Sequence, residues 1–383
     1  MKMVLQYNGK RTYEEILASV KPVPLKVVGA NVPNWRSANL LILGDNSRVM
    51  ATLLKEFDFS GKVNLVYIDP PFATRNTYRI ASRRGATIST GSDDEVAYSD
   101  ALVGYEYLEF LRERLVLLRE LMSSDASIYL HIDSKIGHYV KIIMDEIFGP
   151  DNFRNDITRI KCKPKNFPRL GYSNIKDIIL FYSKGRRFVW HEPKVGFRDE
   201  DIERLYPKMT PDGRRYTTIP LHAPGETKNG STGKPWRGLL PPKGRHWRCA
   251  PEMLDKLDAA GLIEWSSKGI PRRIVFADEA YRNGKRLQDV WDFKDPQYPL
   301  YPTEKNLEML KTIIRTSSNE GALVLDCFAG SGTTLIAAQE LGRRWIGIDN
   351  SHQAIATCLK RLTALKPNIF AQADFVYLEA RDD

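Results

Sequence analysis

Short apolar runs, rich in β-branched and aromatic residues, recur along the chain. They cover Leu40–Leu43, Val63–Ile68, Ser127–Ile132, Asp177–Tyr182, Ala322–Leu325, Trp345–Ile348 and Phe375–Leu378. Runs that are apolar at consecutive positions predict strands buried on both faces of a sheet. Segments with helical spacing lie between several of them. Tyr105–Met122 carries Leu and Phe at i, i+3, i+4 and i+7, and Val140–Phe148 and Thr334–Leu341 follow the same period. Strands alternating with helices predict an α/β fold, with a mixed, mostly parallel sheet and helices on both faces.

The rhythm breaks in the middle of the chain. From 191 to 295 the sequence is rich in Gly, Pro, Trp and Arg, which predicts an inserted, irregular module. The expected organisation is an N-terminal arm over 1–38, one α/β half over 39–190, the module, and a second half over 296–383. A chain of 383 residues has room for this.

Composition narrows the class. At 42% hydrophobic and 27% charged residues the chain reads as an ordinary globular protein. The polar start and the absence of an 18-residue apolar run predict neither a secretory signal nor a membrane span. The cysteines Cys162, Cys249, Cys327 and Cys358 are scattered and form no CxxC, so no disulfide framework and no metal site are expected, and the compartment is cytoplasmic. The formal charge of +10 suits a polyanionic partner, although a solvated basic face explains it too. Its distribution says more. Nine Lys or Arg stand between Lys208 and Arg248 against Asp212 and Glu226, and six between Arg154 and Arg169 against Asp156. Both stretches read as structured basic surface.

Two motifs carry chemistry. In the first, a buried strand runs into Asp69-Pro70-Pro71-Phe72. Prolines lack donors and fix φ, so the backbone leaves the strand sharply at its carboxyl end. An amino group on a nucleobase is a poor nucleophile, because its lone pair is delocalised into the ring. The Asp69 carboxylate and Pro70 carbonyl, accepting its two hydrogens, would free that lone pair. Phe72 would stack on a base turned out of the duplex. The same string also serves elsewhere as a plain strand-ending turn.

The second motif, Asp326-Cys-Phe328-Ala-Gly330-Ser-Gly332-Thr333-Thr334, ends a strand in a Gly-rich turn that opens a helix. Glycines admit a close backbone approach, and a helix amino terminus favours negative charge. The third glycine of G-x-G-x-x-G and the Gly-Lys-Ser/Thr of a phosphate loop are both missing. Asp349 follows the next strand, at the spacing of a carboxylate that bridges ribose hydroxyls. A nucleoside without a pyrophosphate fits, and S-adenosylmethionine is one.

With both motifs present, catalytic before cofactor, the chain resembles the β-group DNA amino-methyltransferases. The resemblance rests also on Leu43-Gly44-Asp45-Asn46, Ser127–Asp133, Met144–Gly149, Asp177–Lys184 and Tyr301–Lys305. It implies a Rossmann-like S-adenosylmethionine-dependent methyltransferase fold whose inserted module recognises the target. Asp69, Pro70 and Phe72 are then catalytic. Asp45, Thr303, Lys305, Asp326, Phe328, Gly330, Gly332, Thr333 and Asp349 surround the cofactor, with Asp45 at its adenine and Thr303 and Lys305 toward the methionine end. Double-stranded DNA is the expected partner, with a second copy of the chain and a cognate restriction enzyme as further candidates. Arg237, Arg245 and Arg248 are expected on phosphates.

The chain departs from the family pattern at Cys327 and Asn306, where relatives usually carry proline, and at Lys176, where a His commonly precedes the acid. An acid before Pro-Pro points to adenine N6, whereas relatives acting on cytosine N4 tend to carry serine there. The cytosine-N4 reading, an RNA substrate and a silent nucleic-acid-binding subunit remain alternatives. Cytosine C5 chemistry needs a Cys nucleophile, usually after proline, and none of the four cysteines has that neighbour. His131, within an apolar run, is expected as a packed core residue. The tryptophans at 236, 247, 265 and 291 divide between packing and DNA contact.

Overall fold

The structure, a computed structural model, describes residues 3–30, 37–71, 77–80, 88–89, 95–99, 104–163, 170–227, 229–297, 299, 304–365 and 375–381. The chain divides into two compact units, Met1–Pro193 with Gln288–Asp383, and Lys194–Leu287.

The first unit is built on a ten-stranded sheet. From one edge its order is Leu25–Ala30, Phe375–Ala380, Asn39–Leu43, Arg344–Asp349, Leu323–Asp326, Val63–Ile68, Met122–Ile132, Lys176–Ser183, Phe153–Ile160 and Val290–Trp291. Only Leu25–Ala30 and Lys176–Ser183 run against the others. All seven predicted strands are present. Alternation along them fills both faces. Leu40, Ile42, Val66, Ile68, Ile128 and Leu130 pack on one side against Val49 and Leu53 of helix Asn46–Lys55 and Leu111, Leu115 and Leu118 of helix Gly104–Leu121. The intervening Leu41, Leu65, Tyr67, Tyr129 and Trp345 are also buried, and by strand geometry they face the other side. There the Tyr129 and Ser317 hydroxyls meet at 2.8 Å, and Trp345 Nε1 donates to Gln339 Oε1 at 2.9 Å. Helices Leu307–Ser317 and Thr333–Glu340 cover that face.

Several elements escape the apolar-run criterion for physical reasons. Phe153–Ile160 (FRNDITRI) is only half-buried, so it alternates with polar residues. The described residues among 1–38, a stretch expected as an arm, are tied into the first unit. Ile16 of helix Tyr13–Ser19 is fully buried, and Leu25–Ala30 forms the sheet edge against Phe375–Ala380. Lys10 Nζ pairs with Glu146 at 2.6 Å, and Arg11 bridges Glu109 and Glu113 at 2.9 and 2.7 Å.

The second unit, expected to be irregular, contains a four-stranded antiparallel sheet ordered Lys208–Met209, Arg215–Pro220, Pro271–Phe276 and Ile263–Trp265. His222–Pro224 pairs with Arg245–Trp247 beside it in sequence. Trp236 and Trp247 form its core with Leu221, Leu254 and Ile263. Their indole N–H groups donate to Asp255 and to the Lys234 carbonyl. Glycine-rich connections, and prolines at the strand ends Pro220, Pro224 and Pro271, disguise the strands. Trp291, in the first unit, is buried as well, while Trp265 is exposed and stacks on Trp236 with ring centroids 5.5 Å apart. The unit's first and last strands, Lys194–Val195 and Lys285–Arg286, pair with each other.

A tight point in the first unit lies just after the Asn39–Leu43 strand. A Cβ at Gly44 would stand 2.5 Å from Ala380 Cβ, which has no flexible end to move aside. We expect Gly44→Ala to cost about 1–3 kcal/mol as an overpacking substitution. Adding Ala380→Gly should restore most of the loss in urea unfolding. Equal midpoints for the parent and Gly44→Ala would contradict this packing.

Candidate functional site

The two motifs, distant in sequence, meet in the sheet. Val63–Ile68 and Leu323–Asp326 are neighbouring parallel strands, with Leu65 opposite Val324 and Val66 opposite Leu325. Parallel strands end on the same side. Asp326 and Asp349 therefore end, and Asp69 and Asp45 follow, four consecutive strands at the same side of the sheet. From these central strands the chain proceeds outward in opposite directions, to Arg344–Asp349 on one side and Met122–Ile132 on the other. This is the switch-point crevice where open α/β sheets hold ligands.

Backbone geometry explains the glycines. Gly330 and Gly332 have φ of 51° and 77°, and Gly332 leads into helix Thr333–Glu340 in the left-handed conformation. A side chain at Gly332 would also meet Cys358 Sγ at 2.8 Å. Asp349 braces the turn. Its Oδ2 accepts the Gly330 N–H at 2.8 Å, its Oδ1 accepts the Ser351 N–H at 2.9 Å, and its carbonyl accepts from Gly44 N–H. Burial raises the Asp349 carboxyl above its ordinary range, against these N–H donors. Asp326 is buried beneath the loop, accepting from Phe328 N–H at 3.0 Å and Thr334 Oγ1 at 2.6 Å. Thr333, buried, lies 3.1 Å from the Arg361 guanidinium, which also pairs with Glu304.

Asp45 caps helix Asn46–Lys55, accepting from Ser47 N–H and Arg48 N–H at 3.0 and 3.1 Å. Its other oxygen lies 3.2 Å from Arg114. Burial opposes the Asp45 charge, but the Ser47 hydroxyl and Arg114 outweigh it and hold the carboxyl below its ordinary range. Arg114 was not foreseen. It is buried in helix Gly104–Leu121, stacked on the Phe110 ring at 3.6 Å, and donates to Asn46 Oδ1 at 2.7 Å. Asn46 Nδ2 then donates to the Cys327 carbonyl at 2.7 Å, and the Phe110 ring lies 6.2 Å from that of Phe328. Arg114 and Asn46 thus tie the Gly-Asp element to the Gly-rich loop. The available signal was an arginine on the apolar stripe, four residues after Phe110 and four before Leu118.

Asp69 is held from one side. Its Oδ2 lies 2.7 Å from Lys305 Nζ, so Lys305, expected toward the methionine end of a cofactor, is paired with the carboxylate of the first motif. Its Oδ1 is buried, accepts no hydrogen bond among the described residues, and lies 4.0 Å from His131 Nδ1. Pro70 is buried. Phe72 and Thr303 lie outside the described residues. His131 is fully buried, as expected of a core residue, yet it is not apolar packing. Its Nδ1 lies 2.9 Å from the Tyr67 hydroxyl and its Nε2 3.3 Å from Asp177 Oδ2. Lys161 lies 2.7 Å from Asp177 Oδ1.

The basic stretches are less free than their composition predicts. Arg159 is buried, with its guanidinium on Asp295, Asp177 and the Phe293 carbonyl, so it belongs to the interior. In the second unit Lys208, Arg214 and Arg215 pair with Glu264, Asp278 and Glu203. Arg237 pairs with Asp258 and, at 3.5 Å, Asp255. Arg245 and Arg248 are exposed and have no carboxylate partner among the described residues. Arg245 lies 3.1 Å from His222 Nδ1, and Arg248 donates to the Pro220 carbonyl at 3.0 Å.

The profile of the N6/N4 family, described as DNA methylase, matches residues 63–360. The type II methyltransferase M.EcaI of Enterobacter cloacae is 41% identical over 369 residues, spanning 94% of this chain and 77% of M.EcaI. The StyLTI Mod subunit of a type III restriction-modification enzyme from Salmonella typhimurium is 28% identical over 348 residues. That match spans 80% of this chain and 51% of the subunit. The crystal structure of an M1.HpyAVI–SAM complex aligns with a TM-score of 0.44 at 16% identity, covering 84% of this chain and 98% of that one. On the strength of the profile and of M.EcaI, the chain belongs to the N6/N4 DNA methylase family and is a DNA methyltransferase.

Proposed function

We propose that this methyltransferase transfers a methyl group to adenine N6, with Asp69 and Pro70 as the groups that engage the amino nitrogen. The observation that carries the reading is Asp69 itself. One carboxylate oxygen is fixed by Lys305, and the other is buried, unpartnered among the described residues, beside the Gly-rich loop strand. A buried acceptor without a donor is costly, so it suits a ligand that brings one. The amino group brings two hydrogens, one for Asp69 Oδ1 and one for the Pro70 carbonyl. The base must leave the duplex to reach them, and Phe72 is the residue assigned to stack on it.

The residues present fit S-adenosylmethionine. The Gly330 and Gly332 backbone leaves room for close approach, and Asp349 and Asp45 offer acceptors to ribose and adenine. When bound, S-adenosylmethionine supplies the electrophilic methyl group. The chain contributes orientation, and two reactants held in attack geometry lower the barrier by roughly 7–11 kcal/mol. Arg114 and Asn46 keep both walls of the pocket in register. We assign Lys305 to Asp69 instead of the methionine end.

The second unit is proposed to bind duplex DNA and read the target. Arg245 and Arg248 carry the phosphate contacts, while Arg237 is offset by Asp258 and contributes less. A second copy of the chain and a cognate restriction enzyme are proposed as further partners.

Three outcomes test this reading. Nucleosides from plasmid DNA incubated with protein and S-adenosylmethionine should contain N6-methyladenine, and Asp69→Ala should abolish it while cofactor binding persists. N4-methylcytosine in place of N6-methyladenine would overturn the base assignment, and full activity in Asp69→Ala would overturn the site. The double variant Arg245→Ala with Arg248→Ala should lower the slope of log K against log salt by about 2. An unchanged slope removes both residues from the DNA interface.

The third concerns Asp326, whose burial pushes its carboxyl up to about 7 despite donors from Thr334 and Phe328, with Asp69 and Asp349 adding to the rise. An acid whose folded value lies above its unfolded one, about 4, favours the fold in its neutral form. That contribution is full below about pH 4 and is lost as pH rises through about 7. Asp326→Asn should therefore gain thermal stability relative to the parent between about pH 5 and about pH 8. A melting difference that stays flat across that window would contradict the assignment.

A further inference from the structure

We propose that His131 is a positioning residue that takes over, from Asp69, the proton released by the methylated amino group. The inference rests on the reading of Asp69 given above and adds a destination for that proton. Two geometric facts support it. His131 Nδ1 is 4.0 Å from Asp69 Oδ1, the oxygen left without a hydrogen bond, and no side chain of the described residues stands between them in hydrogen-bond contact with that oxygen. His131 Nε2 faces Asp177, whose carboxylate has only acceptors to offer. Nε2 therefore carries the hydrogen, Nδ1 is the basic nitrogen, and the Tyr67 hydroxyl donates to it at 2.9 Å.

The charged and titratable groups around the imidazole come from every neighbouring segment. Tyr67 and Asp69 lie on and after one strand, Asp177 on a second, and Arg159 and Lys161 on and after a third. Lys305 lies beyond Asp69. Burial pushes His131 below its ordinary value, opposed by Asp69 and Asp177, so it is neutral at neutral pH. Burial alone would raise Asp177, but the hydrogen bonds it accepts from His131 and Lys161, together with the Lys161 charge, hold it well below the usual carboxylate range. A neutral imidazole backed by a fixed carboxylate can receive a proton and keep its orientation, which is the logic of an acid–histidine pair.

The atoms balance. As the amino nitrogen forms its bond to the methyl carbon, the carbon–sulfur electron pair stays with sulfur and the nitrogen becomes cationic. One of its two hydrogens passes as a proton to Asp69 Oδ1. A shift of about 1 Å brings that oxygen within hydrogen-bond reach of Nδ1, which takes the proton and returns Asp69 to a carboxylate. The Tyr67 hydroxyl turns from donor to acceptor. The imidazolium, between Asp69 and Asp177, returns its proton through Asp69, the more exposed of the two groups, to water after the product leaves.

The test separates the first turnover from later ones. His131→Asn retains a polar atom near Nδ1 but cannot hold the proton. Its first turnover should match the parent within a few-fold, while later turnovers should slow by about 10²-fold, with DNA and cofactor affinities unchanged. Loss of both phases together would mark a purely structural role, and parental rates in both would also overturn the proposal. Should His131→Asn fail to fold, Asp177→Asn should give the same split, and parental behaviour there would be equally fatal. In the ligand-free protein, nitrogen NMR of the imidazole should show the Nε2–H tautomer, with His131 titrating at lower pH in Asp69→Asn. If Asp69→Ala keeps full activity, the reading of Asp69 fails, which is a different result from an inactive Asp69→Ala beside an unaffected His131→Asn.

Discussion

Everything at the site depends on one pairing, the parallel ladder between Val63–Ile68 and Leu323–Asp326. It joins the two ends of the first unit across the whole insertion, and its register sets Asp69 beside the Gly-rich loop. Such a contact is entropically expensive, because the chain between the strands must close as a long loop. The flanking elements offset that cost. Asn64 Oδ1 accepts the Leu323 N–H, Asn46 holds the Cys327 carbonyl, and the Tyr129 and Ser317 hydroxyls meet behind the sheet. Each bond joins the earlier half to the later one, so assembling the site and completing the core are one event.

Apolar runs made most of the central sheet legible, since strands buried on both faces leave a signal that needs no partner to interpret. The same criterion was blind to Phe153–Ile160 and to the antiparallel strands of the second unit. A half-covered strand spends every second residue on solvent. Residues 1–38 were opaque for another reason: the bonds of Lys10 and Arg11 reach acids 98 to 136 positions downstream, and no local pattern records them. At the site, Asp69, the glycines and Asp349 could be read because their chemistry is local to a strand end. Arg114, Asn46 and the partnership of Lys305 with Asp69 could not, because each is a contact between segments.

Charge shows the same divide. Counting cations along the sequence treats Lys208, Arg214, Arg215 and Arg237 as available, yet each faces a carboxylate brought in by folding. Arg159 looked like surface in the sequence and is a fully buried cation whose partners, Asp177 and Asp295, come from either side of the insertion. Burying such a charge is tolerated only when its partners are fixed. The cluster behind Asp69 therefore stiffens the part of the sheet that bears the strand ending at Asp69.

The ladder between Lys194–Val195 and Lys285–Arg286 brings the two ends of the second unit together. A segment whose entrance and exit are adjacent behaves as a cassette. Its replacement by another segment of different length changes little in the closure of the surrounding chain, because the gap to be spanned stays the same. Such a segment can be exchanged as a whole while the sheet that carries Asp69 and the Gly-rich loop stays unaltered.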